Sequence, residues 1–188
     1  MTRLHLVRHG PTHVKAMIGW TDLPADLSDF AALNRLDAHL PIAPVVSSDL
    51  GRAISTADWL SATRPRLPHH PGFREIHFGR WEGQTFATAE AENPALIRAY
   101  WDNPGTIAPP GGESWNDLAS RVWAALDRHM HHHELIIVAH FGTILAILQR
   151  ALGISAGAAL GHHIDNLSVT DLAWDGTVWT VGQINHRP

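Results

Sequence analysis

Leu135-Ile136-Ile137-Val138-Ala139-His140-Phe141-Gly142 is the stretch that decides the fold. Its first five residues are apolar without alternation, as expected for a central parallel strand covered on both faces. The run stops at a histidine, and Thr143 to Leu152 then has the character of a helix. On the upstream side, Ser114 and Asp117 form a capping-box pattern. Trp115, Leu118, Ala119, Val122, Leu126 and Met130 follow as one apolar stripe. Helix, buried strand and helix therefore succeed one another within about forty residues, the grammar of a parallel α/β sheet.

The rest of the chain follows the same grammar. Leu4 to Val7 reads as a short buried strand that stops at Arg8-His9-Gly10-Pro11. Leu27 to Leu40 reads as a helix ended by Pro41, and Pro44-Val45-Val46 as a second strand. Ser47-Ser48-Asp49 are helix-capping types, and Leu50, Ala53, Ile54, Ala57 and Leu60 repeat at helical spacing. Arg52 then falls in the first turn of a helix that follows a strand. Arg66 to His70 reads as extended and Gly72 to Gly83 as loop. Thr85 to Trp101 reads as a helix broken or kinked at Pro94, and Pro104 to Gly112 as loop. Ser168 to Trp174 and Thr177 to Ile184 are β-rich and flank Asp175-Gly176, a tight-hairpin signal. The expected class is α/β: a mostly parallel open sheet with helices on both faces and an antiparallel edge hairpin.

The 188 residues suit one domain with one core. Hydrophobic residues make up 45% and charged residues 17%, the balance of an ordinary globular chain. The net charge of -4, with no basic run, argues against nucleic acid or an anionic membrane as partner. No cysteine is present, which excludes disulfides, thiolate metal sites and a cysteine nucleophile. The N-terminal apolar run is too short for a signal peptide. No stretch approaches the roughly 20 apolar residues of a membrane span. A cytoplasmic protein is expected.

Arg8-His9, Arg52 and His140 share one placement, each at or just past the end of a strand. In an open parallel sheet these ends lie along one edge, where ligands bind. Two arginines and two histidines converging there would form an anion site, because guanidinium forks match phosphate oxygens. Singly, each of these residues reads as structural or solvated.

The conjunction, with its neighbours, resembles the histidine phosphatase superfamily, in its phosphoglycerate mutase-like branch. Leu6-Val7-Arg8-His9-Gly10-Pro11-Thr12 is similar to the family's Arg-His-Gly signature. Ser47-Ser48-Asp49-Leu50-Gly51-Arg52-Ala53 resembles the second motif, and Arg74 to Gly83, containing Glu75, the third. Gly111-Gly112-Glu113-Ser114 is similar to the loop before the family's long helix. Val138-Ala139-His140-Phe141-Gly142 resembles the second histidine motif, and Asn166-Leu167-Ser168-Val169-Thr170 the final-strand motif. The matches are in order and span almost the whole chain, so residues 1–188 are expected to form a single histidine phosphatase-like domain.

The resemblance implies roles. His9 would attack phosphorus and become phosphohistidine. Arg8, Arg52 and His140 would hold the phosphoryl oxygens. Glu75 would protonate the leaving oxygen and then activate water. The scheme requires no metal and no cofactor. Gly10, Lys15 and Phe141 would join Arg8 and Arg52 in binding substrate.

Three of these positions depart from the family pattern. Pro11 stands where the family often has Glu, Lys15 where it often has Asn, and Phe141 where a small residue often follows the second histidine. The expected activity is hydrolysis of a small phosphorylated metabolite, and the short chain favours a phosphatase. Phosphoglycerate mutase-type transfer is the alternative, followed by a non-catalytic phospho-ligand binder. Sugar phosphates, α-ribazole phosphate and phosphoglycerate all remain open as substrates, and the oligomeric state is not legible.

The chain holds 15 His and 8 Trp. His129, His131, His132 and His133 are expected to be solvated at a helix C-terminus. Metal binding by His129 and His133, four apart on one face, is the minor alternative. Trp20 and Trp81 lie in loops expected near the pocket, and His162-His163 precedes the Asn166 motif.

Overall fold

The computed structural model describes residues Met1–Pro188. In chain order its elements are β1 (Thr2–Arg8), α1 (Phe30–His39), β2 (Val45–Ser47), α2 (Gly51–Leu60), α3 (Phe86–Glu92), α4 (Pro94–Asp102), α5 (Trp115–Asp127), β3 (Glu134–Ala139), α6 (Phe141–Leu152), α7 (Ala156–Leu160), β4 (Val169–Trp174) and β5 (Trp179–Val181). One sheet has the order β2-β3-β1-β4-β5. β2, β3 and β1 are parallel, while β4 runs antiparallel to β1 and β5 antiparallel to β4.

Strand alternation explains how the core divides. Leu135, Ile137 and Ala139 of β3, with Leu4 and Leu6 of β1, face a large cluster shared with α5 and α6. Ile136 and Val138, with Val7, face a smaller cluster shared with α1 and α2. β3 is thus buried on both faces, which is why its sequence shows no alternation. Complete burial of a Leu or Ile side chain stabilises by about 1.5–3 kcal/mol before entropy is counted. No helix is long and apolar enough to cross a membrane.

Local chemistry sets the boundaries. Ser114 and Asp117 form the full reciprocal capping box that opens α5. Asn93 ends α3 and also caps α4, its side chain accepting from the Leu96 N–H at 3.1 Å. Pro94, at the first position of α4, needs no N–H there, so the expected Thr85–Trp101 helix divides in two.

Five expectations are corrected. α1 begins at Phe30 rather than Leu27, because Asp29 is its cap and accepts from the Ala32 N–H. None of Ser47, Ser48 or Asp49 caps α2, whose first flanking residue is Leu50. α6 starts at Phe141, two residues earlier than read, with His140 as its extended N-cap. The last hairpin is looser than a two-residue turn, since Trp174 pairs with Trp179. Asp175 Oδ1 accepts from the Thr177 and Val178 N–H groups and closes that four-residue connection. β5 also stops at Val181, where Asp171 hydrogen-bonds both Gly182 and Gln183 across a bulge.

Candidate active site

Register alone brings the two histidines together. Arg8 of β1 pairs with Ala139 of β3, so the next residues, His9 and His140, leave the same edge side by side. The His9 N–H donates to the Ala139 carbonyl at 3.1 Å, and the imidazole centroids are 5.0 Å apart. Ser47 pairs with Val138, so Ser48 leaves β2 at that edge too. Its Oγ lies 2.8 Å from His140 Nε2 and also accepts from the Leu50 N–H.

His9 is buried and its tautomer is set. Nδ1 donates to the Gly10 carbonyl at 2.7 Å, which leaves the Nε2 lone pair to accept from Arg52 Nε at 3.3 Å. Burial, then the neighbouring Arg52 and Arg8 guanidiniums, push its pKa down to about 3. It is therefore a neutral imidazole at physiological pH. His140 is fully buried and also held well below the usual histidine range, first by burial and then by His9, Arg52 and Arg8. Asn166 Nδ2 donates to the His9 carbonyl at 2.7 Å and fixes the backbone behind the ring. The Gly10 N–H is held by Thr56 Oγ1 at 3.0 Å.

The arginines are anchored from behind. Arg52, 1% exposed, donates from its two terminal nitrogens to the Thr21 and Gly19 carbonyls at 2.9 and 2.6 Å. Arg8 donates to the Ile164 carbonyl at 2.6 Å, and its guanidinium carbon lies 5.6 Å from the Phe141 ring centroid. Arg8 Nε and His140 Nδ1 are buried without a hydrogen-bond partner. Buried donors in this condition are rare and call for a partner.

Glu75 is brought in from a loop by contacts that the sequence does not announce. Its carboxylate accepts from the Ile76 N–H at 2.9 Å and from the Gly142 N–H in the first turn of α6 at 3.0 and 3.1 Å. Burial raises its pKa, against the pull of those N–H groups and of Arg52 and Arg8. A Cβ on residue 142 would stand 2.4 Å from Glu75 Oε1, so only glycine permits this approach. The Glu75 carbonyl accepts from Trp20 Nε1 at 2.8 Å and from Arg121 at 3.2 Å.

Glu82 is the residue whose part sequence reasoning missed. It accepts from the N–H groups of Gly19, Trp20, Thr21 and Phe78 and from the Thr21 hydroxyl at 2.7 Å. Burial alone would raise its pKa, but these donors win and hold it low. Glu82 thereby ties down the turn whose carbonyls hold Arg52. The signal was a carboxylate inside the third motif, seven residues after Glu75, with no other evident use.

Of the expected site residues, the structure gathers Arg8, His9, Gly10, Arg52, Glu75, His140 and Phe141. Lys15 is exposed, and its ammonium makes no hydrogen bond. Trp20 borders Glu75 as expected, whereas Trp81 is buried in the core edge-on to Tyr100. His163 turns outward to Asp165. α5 ends at Asp127, so His129 and His133 do not share a helical face, and the basis for pairing them on a metal is lost. His129 instead stacks on Phe73 at 5.5 Å, half-buried rather than solvated.

Known proteins resemble this chain over most of its length. The bifunctional protein Rv2228c of Mycobacterium tuberculosis is 34% identical over 93% of this chain, which spans about half of it, 51%. A glucosyl-3-phosphoglycerate phosphatase of Mycolicibacterium vanbaalenii is 33% identical over 81% of this chain and 75% of its own. Among solved structures, YhfR of Bacillus stearothermophilus superposes with a TM-score of 0.88 at 26% identity, covering 98% of this chain and 97% of its own. The family model described as histidine phosphatase superfamily (branch 1) matches residues 4–187. The chain belongs to the histidine phosphatase superfamily, among its phosphoglycerate mutase-like members.

Proposed function

We propose that this chain is a phosphomonoesterase acting on a small phosphorylated metabolite through a phosphohistidine on His9. The observation that carries the reading is the tautomer of His9: Nδ1–H is held by Gly10, and Nε2 offers its lone pair among cations. Phosphatases among its relatives, acting by name on phosphoserine and glucosyl-3-phosphoglycerate, support it.

In the first step His9 Nε2 attacks phosphorus and the ester P–O bond breaks. The leaving oxygen takes the proton of Glu75, which its raised pKa keeps available. In the second step the Glu75 carboxylate takes a proton from water, whose oxygen attacks phosphorus and breaks the P–N bond. Neutral His9 and inorganic phosphate result. Arg8 Nε and His140 Nδ1, buried without partners, would gain phosphoryl oxygens. Arg8 and Arg52 supply the positive charge, so the reaction needs no metal. Removal of one such preorganised donor typically costs on the order of 100- to 1000-fold.

The test is hydrolysis of p-nitrophenyl phosphate in excess EDTA by wild type and His9→Ala. Activity that withstands EDTA and disappears in the variant, with an acid-labile phosphoenzyme trapped only in wild type, is the expected result. Activity retained by His9→Ala would refute the mechanism.

A further inference from the structure

We infer that the alcohol released by this site carries an apolar, ring-sized body with no carboxylate near the ester oxygen; this substrate class rests on the phosphatase reading above. An apolar cleft opens directly beside Glu75 and Gly142. Its walls are Phe78, Tyr100, Trp101, Trp115, Phe141 and Leu160, supplied by a loop and by α4, α5, α6 and α7. Glu75 is the group that would protonate the leaving oxygen, so an ester held there has its alcohol portion at the mouth of this cleft. Phe141 also lies against Arg8 and so joins the cleft to the phosphate-holding residues.

The lining chooses against charge. No Lys, Arg or His borders the cleft, and its one charged residue is Glu75. The indole nitrogen of Trp115 is turned away and donates to Gln149 at 2.7 Å. A carboxylate carried into the cleft would lose its water and find no cation in the lining. Burial of an unpaired charge is among the costliest events in a protein interior. Phosphoserine and phosphoglycerates, which carry a carboxylate close to the ester, therefore fit poorly. An apolar ring fits well, because the walls already hold aromatic pairs in tilted and edge-on contact. Phe78 and Trp101 are 6.3 Å apart, and Tyr100 and Trp101 5.1 Å. Trp101 is 36% exposed at the rim, where a substrate ring would cover it.

The experiment compares kcat/KM of the wild-type protein for four esters: propyl phosphate, 3-phenylpropyl phosphate, phosphoserine and 3-phosphoglycerate. The first two share a primary alkoxide leaving group and differ only in the ring. Burial of about 100 Å² of ring surface corresponds to a preference on the order of fifty- to a hundredfold for the phenylpropyl ester. The carboxylated esters are expected to fall below propyl phosphate. Trp101→Ala should shrink the phenylpropyl-to-propyl ratio by about tenfold, and Trp101→Phe should restore most of it. A ratio near one, an unchanged ratio in Trp101→Ala, or preference for a carboxylated ester would overturn the substrate class and leave the phosphatase reading standing. Hydrolysis of none of the four by protein that does hydrolyse p-nitrophenyl phosphate would likewise overturn the substrate class alone. Inertness toward p-nitrophenyl phosphate as well would remove the phosphatase reading, and the substrate class with it.

Discussion

Replacing Glu75 by Gln separates proton transfer from everything else that the side chain does. The amide oxygen can still accept from Ile76 and Gly142, which meet Oε1 at 2.9 and 3.0 Å, so the loop stays docked. What disappears is the transferable proton. An alkoxide cannot leave unprotonated, so kcat/KM for propyl phosphate should fall by about 10²- to 10⁴-fold, the usual worth of a positioned acid. p-Nitrophenolate leaves without help, so kcat/KM for its ester should fall by less than about tenfold. Attack of water still needs the base, and kcat should drop for both esters. Rapid mixing with p-nitrophenyl phosphate should then show a burst of nitrophenolate, stoichiometric with enzyme, while phosphohistidine accumulates. The pH dependence has a definite sign. Glu75 has a raised pKa, and its acid form donates, so wild-type kcat/KM for the alkyl ester falls as pH rises through that pKa. The Glu75→Gln variant should lack this limb. Its stability should also gain on wild type over the same range, because a carboxyl with a raised folded pKa loses its favourable contribution as it ionises. Equal losses of kcat/KM on the two esters would refute the assignment of Glu75 as proton donor.

Three further outcomes follow from the same geometry. His9 has a folded pKa of about 3 against an ordinary value of 6.5, so the unfolded chain binds the extra proton and stability is lost as pH falls from 6.5 toward 3. The loss amounts to a few kcal/mol at most, and thermal melts at pH 7 and pH 4 should show a smaller acid drop for His9→Gln than for wild type. Glu82→Ala frees the Gly19–Thr21 turn that anchors Arg52, and kcat/KM for p-nitrophenyl phosphate should fall by roughly 10- to 100-fold without abolition. Unchanged kinetics in that variant would show that Arg52 holds its place unaided. Gly142→Ala places a methyl 2.4 Å from Glu75 Oε1; displacement by about 1 Å should cost on the order of 100-fold in alkyl ester hydrolysis, with the circular dichroism of the fold retained.

Much of this arrangement was legible from pattern. The unbroken apolar run of β3 marked a strand covered on both faces, and its clusters above and below are the physical cause of that pattern. Arg8, His9, Arg52 and His140 could be placed because each sits within five residues of a strand end. Parallel strands then align those ends without further information. Glu75 was a different matter. It is reached through 3₁₀ turns and held by N–H groups from residues 76 and 142, contacts with no periodic signature. Only the family resemblance pointed to it. The Glu82 clamp was invisible for the same reason, since its five donors come from two loops separated by more than fifty residues. The start of α6 escapes a pattern search for a reason of its own. His140 opens α6 with extended backbone and no side-chain cap, so a search for capping residues passes it by. That early start nonetheless places the Gly142 N–H where Glu75 can reach it.

Burial tunes the two proposed reacting groups at once. Loss of water disfavours the charged form of each, which for a histidine means a lower pKa and for a carboxyl a higher one. The same dry setting therefore keeps His9 neutral, as a nucleophile must be, and raises the pKa of Glu75, the direction an acid needs. The arginines act unequally on the pair. They reinforce burial at His9 and oppose it at Glu75, so stronger positive charge would improve phosphate holding and nucleophile alike while draining the proton donor. In the structure, burial is the largest influence on Glu75 and the guanidinium pull is smaller. Anchoring Arg8 and Arg52 on backbone carbonyls, with no direct bond to Glu75, is what keeps that order. A substitution that brought a guanidinium onto the Glu75 carboxylate would strengthen an ion pair and weaken the enzyme.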